Sequence, residues 1–133
     1  MIETAEDFIR LRYSSVAEER ERAVREHAAA GVWDEVIRRY PDSRMWVAQN
    51  KTVPIDILEI LAEDLEPGVR AMVAMKRKLS PAILSRLARD VDDSVRLAVA
   101  RNRNTPREIL EVLQGDEWEE VRQVVIERLR GLG

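Results

Sequence analysis

The stretch "VRLAVARNRNTPREILEVL", residues 95–113, has a counterpart in "VRAMVAMKRKLSPAILSRL", residues 69–87, which begins 26 residues earlier. Five columns of identical residues keep this spacing along the chain. They are Arg44, Arg70, Arg96 and Arg122; Val47, Val73, Val99 and Val125; Leu58, Leu84 and Leu110; Leu61, Leu87 and Leu113; and Asp64, Asp90 and Asp116. Five columns in one register indicate a repeated structural unit and not a single chemical site.

Each unit is predicted to form two short helices. Val95, Ala98 and Val99 lie at i, i+3 and i+4, which places them on one face of a first helix. The second helix carries an apolar stripe of the same kind, as in Ile109, Leu110 and Leu113. Because one such pair has too little core to stand alone, stacked pairs must share an apolar seam.

A proline marks the start of each second helix: Pro54, Pro81 and Pro106. Pro81 comes one place late, since Ser80 occupies the column of the other two prolines, so we expect that turn to differ. Thr105 with Glu108 is typical of a capping box.

The pattern predicts one all-α domain, an α-solenoid (α-α superhelix) of short helix pairs. Residues 43–130 would hold three full repeats and a final half repeat. Residues 1–42 would form a helical N-terminal cap, with helices over 5–13 (opened by Thr4 and Asp7), over 16–30 (opened by Ser15 and Glu18, closed by Gly31) and over 32–40.

The segment "VRLAVARNRNTPREILEVLQGD", residues 95–116, resembles the variant leucine-rich repeat, a bacterial two-helix unit related in shape to HEAT-like repeats. The resemblance covers about residues 43–130. It implies a right-handed stack of paired short helices. Some members of that family carry an iron–sulfur cluster on a cysteine-bearing N-terminal segment. This chain has no cysteine, so that property is not carried over.

Composition excludes several classes of protein. With 45% apolar and 35% charged residues, the chain is neither disordered nor a membrane protein. The start, "MIETAEDFIRLR", lacks the pattern of a secretory signal, so we expect a cytoplasmic protein. The absence of cysteine excludes disulfides, thiolate metal sites and cysteine nucleophiles. A net charge of −3 provides no global attraction to nucleic acid or anionic lipid.

No catalytic constellation is visible, so we predict no enzymatic activity, no cofactor and no metal site. Each repeated aspartate precedes a repeated arginine by six residues. An acid–base ladder is one interpretation, but repetition favours fasteners that join successive repeats. Asn50 and Asn102 are expected to bond loop backbone, while Lys76 breaks their column. His27 has no histidine or cysteine partner, which favours a helix-surface residue.

Charge separates the two sets of loops. Loops inside the repeats are basic, loops between them are acidic, and a solenoid would place these sets on opposite edges. Trp118 lies in an acidic loop, where it either folds over the last repeat or anchors a contact. The predicted binding residues are Met45, Met75, Lys76, Arg77, Lys78, Arg101, Arg103 and Trp118.

These features favour a non-catalytic protein-interaction module, either an adaptor or an antitoxin or immunity protein, whose partner carries an acidic patch. The alternative is a HEAT-like nucleic-acid-binding protein, such as a DNA-repair glycosylase, that tracks phosphates with its basic edge. A third hypothesis is a structural domain whose partner is encoded beside it. Leu129 and Leu132 at the C-terminal end are predicted to allow self-association. No membrane contact is expected.

Overall fold

The computed structural model of the chain describes residues 1–132, and this part is helical without a β-strand. Its α-helices are Ala5–Arg12 (α1), Ala17–Arg25 (α2), Val32–Arg39 (α3), Arg44–Gln49 (α4), Ile55–Leu61 (α5), Pro67–Ala74 (α6), Pro81–Leu87 (α7), Asp93–Arg101 (α8), Arg107–Leu113 (α9) and Glu119–Leu132 (α10). A 3₁₀ turn, Pro41–Ser43, precedes α4. Among these helices none is long and apolar enough to cross a bilayer. The chain divides into two compact units, Met1–Leu61 and Ala62–Gly133.

The first unit contains α1 to α5 around a small aromatic centre. Phe8 is fully buried, and its ring meets that of Trp33 edge-on, with the centroids 5.0 Å apart. Edge-on aromatic pairs of this kind add about 0.5–1.5 kcal/mol beyond the area they bury. The N-terminus of α1 forms as predicted, because the Thr4 hydroxyl accepts a hydrogen bond from the backbone N–H of Asp7 at 3.0 Å.

The second predicted helix, over residues 16–30, is wrong in extent. It ends at Arg25, since Glu26 is extended and the chain then pairs with the N-terminus. Backbone hydrogen bonds join Ile2 N–H to His27 O and Ala29 N–H to Ile2 O, both at 2.8 Å. Gly31 does not close this helix. Its φ of +81°, which favours glycine, lets it serve as the N-cap of α3.

The predicted capping role of Ser15 is also wrong. Val16 occupies the N-cap position of α2 without a side-chain cap. The Ser14 hydroxyl, one residue earlier, accepts from the Val16 N–H at 3.0 Å and donates to Glu19 at 2.7 Å. Two adjacent serines offer the same hydroxyl, so only the fold decides which of them reaches the helix end.

In the second unit α6, α8 and α10 pack side by side, and α7 and α9 connect them. The repeated valines of these three helices, Val73, Val99 and Val125, are fully buried. Leu84, Leu87, Leu110 and Leu113 of the connecting helices are buried too. The predicted apolar faces therefore form the core, which supplies the hydrophobic free energy that short isolated helices lack.

In the second unit, two largely buried arginines, Arg70 and Arg96, tie one turn to the next. Arg70 Nε donates to Asp90 Oδ2 at 2.8 Å, and Arg96 Nε donates to Asp116 Oδ2 at the same distance. The Nη1 group of each arginine donates to the backbone carbonyl of the aspartate six residues before it. Arg70 Nη1 lies 2.7 Å from Asp64 O, and Arg96 Nη1 lies 2.8 Å from Asp90 O.

For Arg70 and Arg96 this arrangement confirms the interpretation as fasteners, with one correction. The carboxylate belongs to the aspartate 20 residues ahead of the arginine, whereas the aspartate six residues behind it contributes its carbonyl. The hydrogen bond that Arg96 donates to the Asp116 carboxylate raises the pKa of the Arg96 guanidinium above its ordinary value, against the opposing effect of burial. We call each such set of contacts a clasp.

A second column of donors fastens the opposite ends of the same helices. Asn102, at the end of α8, donates from Nδ2 to Ala74 O at 2.7 Å and to Lys76 O at 2.8 Å. Arg128 of α10, which is 26 residues further on, donates to Ala100 O at 2.8 Å and also to Asn102 O. Clasps at the N-terminal ends and these bonds at the C-terminal ends show that α6, α8 and α10 run parallel.

Asn50 plays the same part in the first unit. It is fully buried, and its Nδ2 donates to Ala23 O at 2.8 Å and to Glu26 O at 3.0 Å, at the end of α2. The predicted bonding of Asn50 and Asn102 to loop backbone is confirmed. The contact also extends the repeat-like geometry into residues that the sequence assigned to the cap.

The turns before the second helices differ, as predicted from the late proline. Ser80 caps α7 by accepting from the Ile83 N–H at 3.2 Å, and Pro81 is the first helical residue. In α9, Pro106 itself holds the N-cap position. Thr105 does not form the predicted capping box, because its buried hydroxyl donates to Val99 O at 2.7 Å.

Removing a clasp arginine should strongly destabilise the protein. In the pair of Arg96 and Asp116, the side chains are 10% and 5% exposed, and loss of one partner from a buried ion pair costs about 3–5 kcal/mol. We expect Arg96→Ala to lower the free energy of unfolding by about 3 kcal/mol, measured by urea denaturation. Arg107→Ala is the control, since its pair with Glu111 is half exposed and contributes about 0.3–0.5 kcal/mol. Equal losses in the two variants would contradict the clasp.

Candidate binding groove

A concave groove of about 480 Å³ lies on the second unit, at the C-terminal ends of α6 and α8. Four of the predicted binding residues line it: Met75, Arg77, Arg101 and Arg103. The remaining lining residues are Ala98, Asn102 and Asn104. The structure therefore brings together half of the residues that charge and placement singled out.

Ala98 is among the residues that line the groove. At 26-residue spacing its column holds Trp46, Met72 and Val124, so position 98 is where this column has its smallest residue. A side chain that stops at Cβ leaves space over α8 that a methionine or tryptophan would fill. Sequence reasoning missed Ala98, although a small residue in a column of large ones was a visible signal.

The walls of the groove are held by hydrogen bonds between its two loops. Asn102 Nδ2 binds Lys76 O at 2.8 Å, and Asn102 Oδ1 accepts from the Asn104 N–H at 2.9 Å. The side chain of Asn104 in turn donates to Arg77 O. The backbone carrying Arg77 is thus fastened to the loop carrying Arg103, so the two cations are presented on a fixed frame.

Positive charge in the groove is only partly neutralised. Arg77 and Arg103 are exposed, and across residues 1–132 neither has a carboxylate within salt-bridge distance. Arg101 Nη2 lies 3.2 Å from Glu120 Oε1, in a pair that is half exposed. Cations near helix C-termini often serve the helix dipole. Here Asn102 and Arg128 already bind those carbonyl oxygens, so the guanidinium groups of Arg77 and Arg103 are not needed for that purpose.

The other predicted binding residues lie outside the groove. Lys78 is exposed beside Arg77, and Lys76 is half-buried. Trp118 is half-buried in the turn before α10, where its backbone N–H donates to Asp116 Oδ1 at 2.9 Å. Met45 is half-buried on α4 of the first unit. Of the eight predicted residues, four therefore line the groove.

His27 is exposed but does not lie on a helix, which corrects the prediction of a helix-surface residue. It stands in the extended segment after α2, at a second concavity of about 330 Å³ in the first unit. Throughout residues 1–132 no group of three or more histidine, aspartate or glutamate side chains is placed to hold a metal ion.

Chemically, the groove is suited to oxyanions. A guanidinium group presents planar donors that match carboxylate and phosphate oxygens, and hydrogen bonds of this charge-assisted kind are about twice as strong as neutral ones. Met75 and Ala98 add apolar surface beside the cations.

Comparison of the chain with protein-family models, curated proteins and solved structures finds no match.

Arg128 and Arg130, two neighbouring cations on α10, allow a fastening arginine to be compared with one that only contributes surface charge. Arg128 donates to carbonyl oxygens at the end of α8, whereas Arg130 is exposed. We expect Arg128→Ala to lower the free energy of unfolding by about 1–3 kcal/mol, the cost of leaving buried acceptors unsatisfied. Arg130→Ala should stay within about 0.5 kcal/mol of the parent. Thermal unfolding of both variants measures this, and an unchanged midpoint for Arg128→Ala would contradict its role.

Proposed function

We propose that the chain is a non-catalytic protein-binding module and that its groove holds an acidic segment of a partner protein. The observation that carries this proposal is the pair of exposed, unpartnered guanidinium groups of Arg77 and Arg103 on a hydrogen-bonded frame. Because the loops are already fastened, binding would order few side chains, which lowers its entropic cost. An adaptor and an antitoxin or immunity protein both fit this mode of action.

The proposed architecture is a right-handed α-solenoid of the variant leucine-rich repeat type. Three observations support it: the parallel packing of α6, α8 and α10, the clasps that recur 26 residues apart, and the sequence resemblance over residues 43–130. Solenoids offer extended surfaces for partners. The groove would lie along the edge where the first helices of the repeats end.

Acidic peptide fits the groove better than nucleic acid does. Single-stranded nucleic acid is usually held by aromatic stacking, and no aromatic residue is among those lining the groove. A duplex requires a long row of phosphate contacts, and one of the three lining arginines already faces Glu120. Met75 and Ala98 suit an apolar side chain beside the carboxylates of a peptide.

The test combines capture of partners from cell extract with direct binding of the captured protein. We expect Arg77→Ala/Arg103→Ala to weaken binding of the purified partner at least about tenfold, since each charge-assisted bond contributes about 1.5–3 kcal/mol. Arg89→Ala/Arg130→Ala removes the same charge from exposed positions outside the groove and should leave affinity unchanged. Equal effects of the two pairs of substitutions would mean that binding depends on the overall charge of the protein and not on the groove.

Ala98→Met tests the shape of the groove independently of its charge. Methionine occupies the equivalent position 72 of the preceding repeat, so the variant should fold, while its longer side chain fills the groove. We expect loss of partner binding with an unchanged thermal midpoint.

Binding of a DNA duplex is measured in parallel at low and physiological salt. The groove would be a nucleic-acid site if the duplex bound more tightly than the partner. Its affinity should then fall steeply with salt and be lost in Arg77→Ala/Arg103→Ala.

Self-association through the C-terminal end belongs to the same proposal. On α10, Leu132 and Ile126 are exposed and Leu129 is half-buried. Apolar surface of this kind at the end of a helical stack is suited to a second copy of the chain. Sedimentation velocity over a range of concentrations should show a dimer that Leu132→Ser dissociates, and a monomer at all concentrations would remove this part of the proposal.

A further inference from the structure

Two aliphatic side chains stand almost fully in solvent at equivalent positions of the second unit. Leu65 is 92% exposed and Val91 is 93% exposed, and they are 26 residues apart. Each is the tip of the turn that leads into α6 or α8. Single exposed apolar residues need no explanation, but two at the same place in successive repeats form a pattern that internal packing does not account for.

The clasps hold both tips rigidly. Before α6, the Glu66 N–H donates to Asp64 Oδ2 at 3.0 Å, and Arg70 Nη1 binds the carbonyl oxygens of Asp64 and Leu65. Before α8, the Asp92 N–H donates to Asp90 Oδ1 at 2.9 Å. The backbone on each side of the tips is therefore fixed, so burying these side chains against a partner would cost little loop entropy.

A third turn of the same form precedes α10. The Trp118 N–H donates to Asp116 Oδ1 at 2.9 Å, and Arg122 binds Asp116 O at 2.6 Å. Its tip is Glu117, whose side chain is 90% exposed, with one carboxylate oxygen, Oε1, at 3.8 Å from Arg96 Nη2. Since α6, α8 and α10 are parallel neighbours, the three tips form one row along the edge opposite the groove, in the order leucine, valine, glutamate.

The spacing of the row matches the repeat of an α-helix. Packed helices lie about 8–10 Å apart, so neighbouring tips are separated by roughly that distance. Residues i and i+7 of a helix are about 10 Å apart on the same face. An extended segment is a poorer match, because its residues i and i+3 are also about 10 Å apart but point to opposite sides.

The charge around the tips selects the partner. Exposed carboxylates flank the row at Glu66, Asp93 and Glu119, and the glutamate tip adds another. A helix lying here would meet negative charge on both sides of its apolar contacts, so Lys and Arg would be favoured at its flanking positions.

We propose that this row of turn tips is a docking surface for a basic amphipathic helix of a partner protein. Apolar residues at i and i+7 of that helix would contact Leu65 and Val91, and Lys or Arg at i+14 would pair with Glu117. This surface is separate from the basic groove, and neither needs the other to be occupied.

The test uses a labelled Lys- and Ala-rich helical peptide of about 18 residues with Leu at i and i+7 and Lys at i+14. Fluorescence anisotropy with the full chain should show saturable binding. We expect Leu65→Ser/Val91→Ser to weaken it at least about tenfold without a change in the thermal midpoint. Val112→Ser is the matched control, since Val112 is 54% exposed on α9, outside the row, and should bind the peptide like the parent.

A charge exchange tests the direction of the helix. Glu117→Lys should weaken the peptide with Lys at i+14 and restore affinity for one with Glu there. Arg77→Ala/Arg103→Ala should bind the Lys peptide unchanged, which separates this surface from the proposed function of the groove. Absence of saturable binding, or parental affinity of Leu65→Ser/Val91→Ser, would overturn the proposal. So would self-association of the chain that these two substitutions abolish, because the occupant would then be a second copy.

Discussion

A guanidinium group removed from water must find partners for its donors, and this requirement organises the second unit. Arg96 meets it with the carboxylate of Asp116 and the carbonyl of Asp90. One side chain on α8 therefore joins the turn before its own helix to the turn before the next. The apolar seam stabilises the packing of helices but is non-directional. The clasp adds direction, since its hydrogen bonds form only when neighbouring helices are parallel and in register.

The same logic operates at the other end of the helices, with different chemistry. There the unsatisfied groups are carbonyl oxygens, and Asn102 and Arg128, which are 26 residues apart, donate to them. An asparagine and an arginine can fill the same role because both side chains carry N–H donors. Both edges of the second unit thus have fixed loops, and the side chains left unused by these bonds are the ones available to partners.

Local patterns predicted the elements whose stabilising contacts are local or repeated. The buried valine and leucine columns, the Thr4 cap and the altered turn at Ser80 follow from spacing and from side-chain chemistry. Predictions failed where a distant segment competes for the backbone. The helix over 16–30 ends early because residues 27 and 29 pair with Ile2. The Thr105 side chain does not cap α9, because its hydroxyl donates instead to Val99 O, six residues earlier in the chain.

By itself the sequence determined the helical class and the faces that are buried, because these depend on periodicity within each helix. Tertiary structure decided which aspartate Arg70 and Arg96 each bind, that Arg128 is a fastener, and that a groove lies between charged loops. These outcomes depend on which residues of neighbouring helices come into contact. The charge pattern predicted the basic residues of the groove, but only the packing of α6 against α8 determined which of them share it.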